Sequence, residues 1–356
     1  MERKIAAKGF IPTLNTYFFS ETNSLNLGLI RIVISAVVLI YNPYISIFII
    51  NDPDVVAIQV PSTFVHLLSG PFSIFAHHAR LFQYTYLLVA ACSIFGFFTR
   101  PALLLFGLLA AYSTGLCASQ GIFNHGLSLL SQVVMILAFV PGSTRLSADR
   151  FLLWLYRRRN KTHQSLWETL KGPAYPVWGF KLILILLACT YFTSGLSKVR
   201  YGGLKWLDGK TLTHYLDGSA SPFTPGVKPT YISPPNVPES QKWKDGFGIY
   251  SYSYGNRLPN QAMIKVGQAV ASKPAVISAL SVITVLFEIS GFILLIAGWP
   301  RTIYLFGAIT LHTSIGFLMN LPFTEYRILC LLLIDWVWLF AQVRGWRSGL
   351  KIKKVA

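Results

Sequence analysis

Residues 178–199 read WGFKLILILLACTYFTSGLSKV. The run from Trp178 to Leu196 is close to the length that carries an α-helix across a bilayer, and a lysine, Lys198, stands at its end. The same pattern recurs in both directions. Four spans precede it or lead up to it: Leu25–Ile50, Phe82–Phe98, Pro101–Ala118 and His125–Val140. Three follow: Val276–Ala297, Ile303–Asn320 and Glu325–Gln342. Gly/Pro punctuation at Gly96 to Pro101 and at Ala297 to Thr302 marks tight turns between neighbouring spans. The expected fold class is all-α: a polytopic membrane protein of about eight transmembrane helices with a long irregular extracytoplasmic loop.

Composition points the same way. Of the 356 residues, 53% are hydrophobic and only 12% are charged, too little charge to cover the surface of a soluble domain of this size. The net charge of +18 raises the question of nucleic acid, but the excess sits in segments flanking apolar runs, so no nucleic-acid partner is expected. Residues 1–24 lack an apolar core and a small-residue cleavage signature, and read as a cytoplasmic N-tail. Cys92, Cys117, Cys189 and Cys330 all fall inside apolar runs, where they read as small buried hydrophobes. No CxxC pair occurs, and no metal site is expected.

Lysine and arginine set the orientation. The N-tail, the second, fourth and sixth connections and the basic tail at 343–356 hold most of the cations, including Arg157, Arg158 and Arg159; the short connections opposite hold Arg80 and Arg327. Both termini are therefore expected in the cytoplasm of a multi-pass cell-membrane protein, with residues 25–342 as one transmembrane domain. The basic but long connection at 199–274 is assigned outside, since long loops translocate largely regardless of charge. Its proline-rich stretch SPFTPGVKPTYISPPNVPES (221–240) should be irregular, and a connection of this length is either a lid over a site or a solvated connector.

Ionisable groups near the bilayer core are costly and become candidates for chemistry. The topology puts Lys198, His125, His312 and Glu325 at similar depth near the outer face. Each has a plainer reading: a snorkelling lysine, a helix-start histidine beside Asn124, a packing histidine. Glu288 lies mid-span in VLFEISG and needs a partner, which a helix–helix hydrogen bond could supply; Arg31 reads as structural.

TYFTSGLSKVRYGGLKWLDGKTLTHYL (190–216) resembles the core of the membrane domain of vitamin K-dependent gamma-carboxylases and their bacterial relatives, the horizontally transferred transmembrane domain. The shared features are an aromatic pair, a glycine, a hydrophobic residue and a lysine, then Trp-x-x-Gly and Tyr-Leu. FNHGLSLL (123–130) resembles the family's Asn-His segment opening a helix, LHTSIGFLMNLPFTEY (311–326) a later helix, and FGFFTRPALLL (95–105) is also similar. The likeness runs in order through most of residues 25–342.

The resemblance implies a carboxylase-like enzyme, a carbon–carbon lyase coupled to hydroquinone epoxidation. Lys198 would be the base that deprotonates a reduced vitamin K or menaquinone-type quinone, with O2 and CO2 as co-substrates. His125 would assist glutamate chemistry, and Asn124 would lie beside the quinone. Trp206, Tyr215, His312, Glu325 and Tyr326 complete the implied quinone and substrate site. The partners implied are the bilayer, a lipophilic quinone and a secreted peptide or protein. Two other readings stand beside it: a non-catalytic maturation or export factor for a secreted peptide of the toxin type, and a quinone-linked oxidoreductase subunit of the DoxX type.

Overall fold

The structure is a computed structural model that describes residues 10–42, 65, 67–68, 70–72, 74–75, 78–119, 125–160, 164–217, 231–232, 249–250, 261–319, 321 and 323–347. Of these, 84% are helical, in 14 α-helices with short 3-10 segments, so the all-α class stands. Three helices are long and apolar enough to cross a membrane: Thr99–Ala118, Trp178–Asp208 and Pro274–Leu295. A fourth candidate is a pair bent by 59°, Thr324–Leu333 with Trp336–Gly345; Asn26–Tyr41, Ala79–Phe95 and Gly126–Phe139 are apolar but shorter. Contacts divide the chain into two compact units, Met1–Leu186 and Leu187–Ala356, the division falling within one long helix.

In the first unit the helices are α1 (Phe10–Phe19), α2 (Asn26–Tyr41), α3 (Ala79–Phe95), α4 (Thr99–Ser119), α5 (His125–Phe139), α6 (Ala148–Arg159) and α7 (Leu166–Lys171). Of the Leu25–Ile50 run, residues 43–50 lie outside the described residues. Asn42 turns extended ahead of Pro43, whose ring disfavours helix at the residue before it, and the Asn42 amide bonds Ala110 O and Thr114 Oγ1 instead. α3 ends on Gly96, at φ 75°, a left-handed position that glycine adopts without strain. α4 starts two residues after the turn because Asp149 accepts from Phe98 N, Thr99 N and Thr99 Oγ1. α6 is capped by Ser147 Oγ and carries Asp149 in its first turn and Arg157, Arg158 and Arg159 in its last, matching the helix dipole at both ends.

Rings fill the middle of this bundle: Phe82 against Phe75 and Tyr86, and Tyr86 against Phe106. One end is tied by guanidinium groups. Arg31, fully buried, donates to Ser143 O at 3.0 Å, Leu146 O at 2.9 Å and Ile94 O at 3.4 Å. Arg145, 1% exposed, donates to the carbonyls of Asn23, Ser24 and Pro173 and lies over the Tyr175 ring. The structural role expected of Arg31 is what the geometry shows. Two short strands, β1 (Glu21–Thr22) and β2 (Tyr175–Pro176), pair antiparallel beside this knot.

α8 (Trp178–Gly202) crosses from the first unit into the second, which continues with a 3-10 turn at Gly203–Asp208, α9 (Lys210–Leu216), α10 (Gln261–Ala271), α11 (Pro274–Ile289), a 3-10 segment at Ser290–Leu295, α12 (Trp299–Leu318), α13 (Thr324–Leu333) and α14 (Trp336–Arg347). The connection at 199–274 is therefore not irregular at its two ends. α8 runs past Lys198 because no glycine or proline lies between it and the Gly202–Gly203 pair, and α9 and α10 pack on each other where Gly267 meets the Leu216 carbonyl. Within the proline-rich stretch only 231–232 are described; they form β3 (Tyr231–Ile232), paired with β4 (Ile249–Tyr250).

The run Glu325–Gln342 is not one straight helix. Ile334 is extended, and Asp335 Oδ1 accepts from Trp338 N at 3.0 Å, which starts α14 on a new axis. Likewise the run beginning at Val276 changes from α to 3-10 geometry after Ile289. The last carbonyls of that segment are held by Arg301, whose Nε donates to Leu294 O at 2.8 Å.

Candidate functional site

The second unit brings together a lysine, a carboxylate and an indole. Lys198 Nζ donates to Glu288 Oε1 at 2.8 Å and Oε2 at 2.7 Å, a bidentate ion pair joining α8 to α11. The lysine side chain keeps 26% of its surface exposed and the glutamate 12%, so the pair is largely buried. Trp206, one helical turn beyond the end of α8, has its ring centroid 5.5 Å from Nζ, within cation–π range.

Small residues make this pairing geometrically feasible. A β-carbon on Gly195 would stand 2.9 Å from Glu288 Cβ and from Ile289 N, and one on Gly291 would stand 2.7 Å from Ala188 O. Glycine at both positions lets the two backbones touch, which is how apolar helices pack closely without a hydrophobic drive between them. Tyr191, Gly195 and Lys198 recur at the four- and three-residue steps that keep side chains on one helix face.

Two turns back along that face lies a second cluster. Tyr191 Oη is 2.7 Å from His312 Nε2 and 3.9 Å from Cys330 Sγ. The His312 ring stacks on Tyr326 at 5.1 Å and 28°, and meets Phe323 at 5.0 Å. Phe287, the neighbour of Glu288 in sequence, stacks on Tyr304 at 4.3 Å and meets Tyr191 edge-on. The two clusters are therefore joined through α8 on one side and α11 on the other.

The residues singled out from sequence fare differently. Lys198 and Trp206 come together; His312 and Tyr326 come together; Glu325 is buried at the start of α13. Tyr215 packs edge-on against His214 on α9. His125 opens α5 in the first unit, and Asn124 lies outside the described residues. The carboxylate that Lys198 meets is Glu288 and not Glu325, which the depth argument had grouped with it. Glu288, Tyr191 and Cys330 were not among the residues chosen from sequence. The readable signal was there for Glu288, a lone acid inside an apolar run that had to find a cation; for Tyr191 and Cys330 no signal distinguishes them from packing residues.

Chemically, the first cluster holds a charge-assisted hydrogen-bonded pair of ammonium and carboxylate beside an indole face. The second can orient a hydrogen-bonding imidazole among rings. Comparison with models of protein families, with curated proteins and with solved structures returned no match.

Proposed function

We propose that the chain is a membrane enzyme of the carboxylase-like group, coupling oxidation of a reduced lipophilic quinone to modification of a peptide glutamate at the extracytoplasmic face. The observation that carries this reading is the bidentate Lys198–Glu288 pair beside the Trp206 indole. A quinol ring requires a flat apolar face and a group that accepts its hydroxyl proton; Trp206 and the ion pair offer both.

The amine in such a pair starts as the charged partner, and a base must be neutral. Moving one proton across the 2.7 Å hydrogen bond gives an amine and a carboxylic acid with no change in net charge. Lys198 then accepts the quinol hydroxyl proton while Glu288 retains the one it received. When bound, the reduced quinone supplies with O2 the strong base that removes a glutamate γ proton. Overall, hydroquinone and O2 give the quinone epoxide and water, and glutamate and CO2 give the carboxylated residue.

On this reading Tyr215, His312, Glu325 and Tyr326 belong with Trp206 to the quinone and substrate site, and His125 and Asn124 keep the roles the resemblance implies for them. The chain crosses the membrane eight times with α13 and α14 as one bent crossing, both termini are cytoplasmic, and the 199–274 connection meets a secreted peptide substrate.

The test uses the full chain in lipid nanodiscs with menaquinone-4 hydroquinone and O2, following epoxide by chromatography. Lys198→Ala abolishes epoxide formation, and Glu288→Gln lowers it at least tenfold. Turnover by Lys198→Ala equal to that of the unaltered protein removes the reading.

A further inference from the structure

The Tyr191–His312 contact has a direction that chemistry fixes. The phenol is the more acidic of the two groups and the imidazole nitrogen the better acceptor, so Tyr191 O–H donates to His312 Nε2 across 2.7 Å. The Cys330 thiol, fully buried at 3.9 Å from the same oxygen, is then free to donate its proton to Tyr191 Oη. The reverse order would leave the tyrosine proton directed at sulfur, a weak acceptor at a long distance.

With Nε2 accepting, the neutral imidazole carries its proton on Nδ1. That atom is buried, in a residue only 8% exposed, and has no hydrogen-bond partner among the described residues. A buried N–H without an acceptor costs about 1–3 kcal/mol, so a donor held this way is matched to an oxygen that arrives with a ligand. The rings of Tyr326 and Phe323 flank the imidazole at 5.1 and 5.0 Å.

We infer that Tyr191 is a positioning residue: through the Cys330–Tyr191–His312 hydrogen-bond chain it holds His312 as the Nδ1–H tautomer, which donates to a carbonyl oxygen of a planar quinone. The choice of quinone rests on the function proposed above; the tautomer does not.

The experiment is 15N NMR of full-length protein with labelled histidine, with His312 assigned by the signal lost in His312→Gln. In the unliganded protein His312 shows a protonated Nδ1 and an unprotonated Nε2. Tyr191→Phe, which removes one oxygen, converts the signal to a tautomer mixture while elution volume and melting temperature stay close to those of the unaltered protein. Adding menadione moves the Nδ1 resonance of the unaltered protein and moves it less in Tyr191→Phe. A protonated Nε2 in the unaltered protein, or an unchanged tautomer in Tyr191→Phe, overturns the positioning role. A correct tautomer whose Nδ1 ignores menadione overturns the quinone contact. Lys198→Ala leaves the His312 tautomer of the unliganded protein in place, so loss of epoxidation through Lys198 and failure of the His312 assignment are read separately.

Discussion

Gly195 and Glu288 stand so close that a β-carbon on the glycine would lie 2.9 Å from that of the glutamate. The lysine one turn further along α8 reaches the carboxylate because nothing but hydrogen occupies the gap at Gly195. Gly195→Ala must push back the Ile289 backbone as well, 2.9 Å away, and overpacking of this kind costs about 1–3 kcal/mol. The measurement is the unfolding midpoint of purified protein in detergent; an unshifted midpoint would mean that the two helices are not in contact.

The ion pair itself is open to a double-mutant cycle. Glu288→Leu alone strands a mostly buried ammonium and should cost about 2–3 kcal/mol, below the full penalty for a sealed pair because Lys198 keeps some exposure. Lys198→Met alone strands the carboxylate at comparable cost. The combination should recover most of the loss, since two apolar side chains of similar volume need no partner. Additive losses in the cycle count against the pairing.

Arg31 donates to three carbonyls from two separate segments. Arg31→Lys keeps the charge but lacks the planar fork, so it fails nearly as badly as Arg31→Met, each by about 3 kcal/mol. Thermal unfolding of the two variants decides this; a lysine that restores full stability would show that charge alone is needed.

Asp149 holds the start of α4 through two backbone amides and a hydroxyl. Asp149→Ala should lose about 1 kcal/mol, and Asp149→Asn, which still accepts, roughly half of that. Hydrogen exchange at the Phe98 and Thr99 amides reports the loss locally, rising in the alanine variant and unchanged in helices remote from the turn.

Tyr175 lies outside the membrane-spanning helices and donates to Ser24 O at 2.9 Å. Burial pushes its phenol above the usual value of 10.0, against a smaller opposing pull from Arg145. The folded state therefore binds this proton more tightly than the unfolded chain. Its stabilising share is complete below about pH 10 and disappears as pH rises through the raised folded value. Alkaline unfolding should be shallower in Tyr175→Phe, with a constant deficit of about 1 kcal/mol at neutral pH from the lost hydrogen bond. Parallel pH profiles for the two proteins would contradict the assignment.

Much of the helical layout is written in hydropathy. The Gly96 turn, the start of α5 at His125 and the start of α8 at Trp178 follow from apolar runs bounded by glycine, proline and polar residues. What hydropathy hides is local backbone competition. Asp335 sits inside an apolar run and reads as a tolerated acid, yet its carboxylate caps a new helix and bends the segment by 59°. Asn42 ahead of Pro43 ends α2 for a reason visible in the dipeptide, but an averaged window runs through it. At the site, Lys198 was conspicuous as a cation at a span end. Glu288 was visible too, as a lone acid inside a span, but which of two carboxylates comes near Lys198 depends on a glycine contact that no one-dimensional pattern encodes.

The knot around Arg31 also dictates an order of manufacture. Its three acceptors lie 63, 112 and 115 residues downstream, so they follow α2 out of the ribosome. Until residue 146 has been synthesised, that guanidinium has to remain wet, at the rim of the insertion machinery or at a lipid headgroup. α2 consequently reaches its final seat only after α3, α4 and α5 have been made.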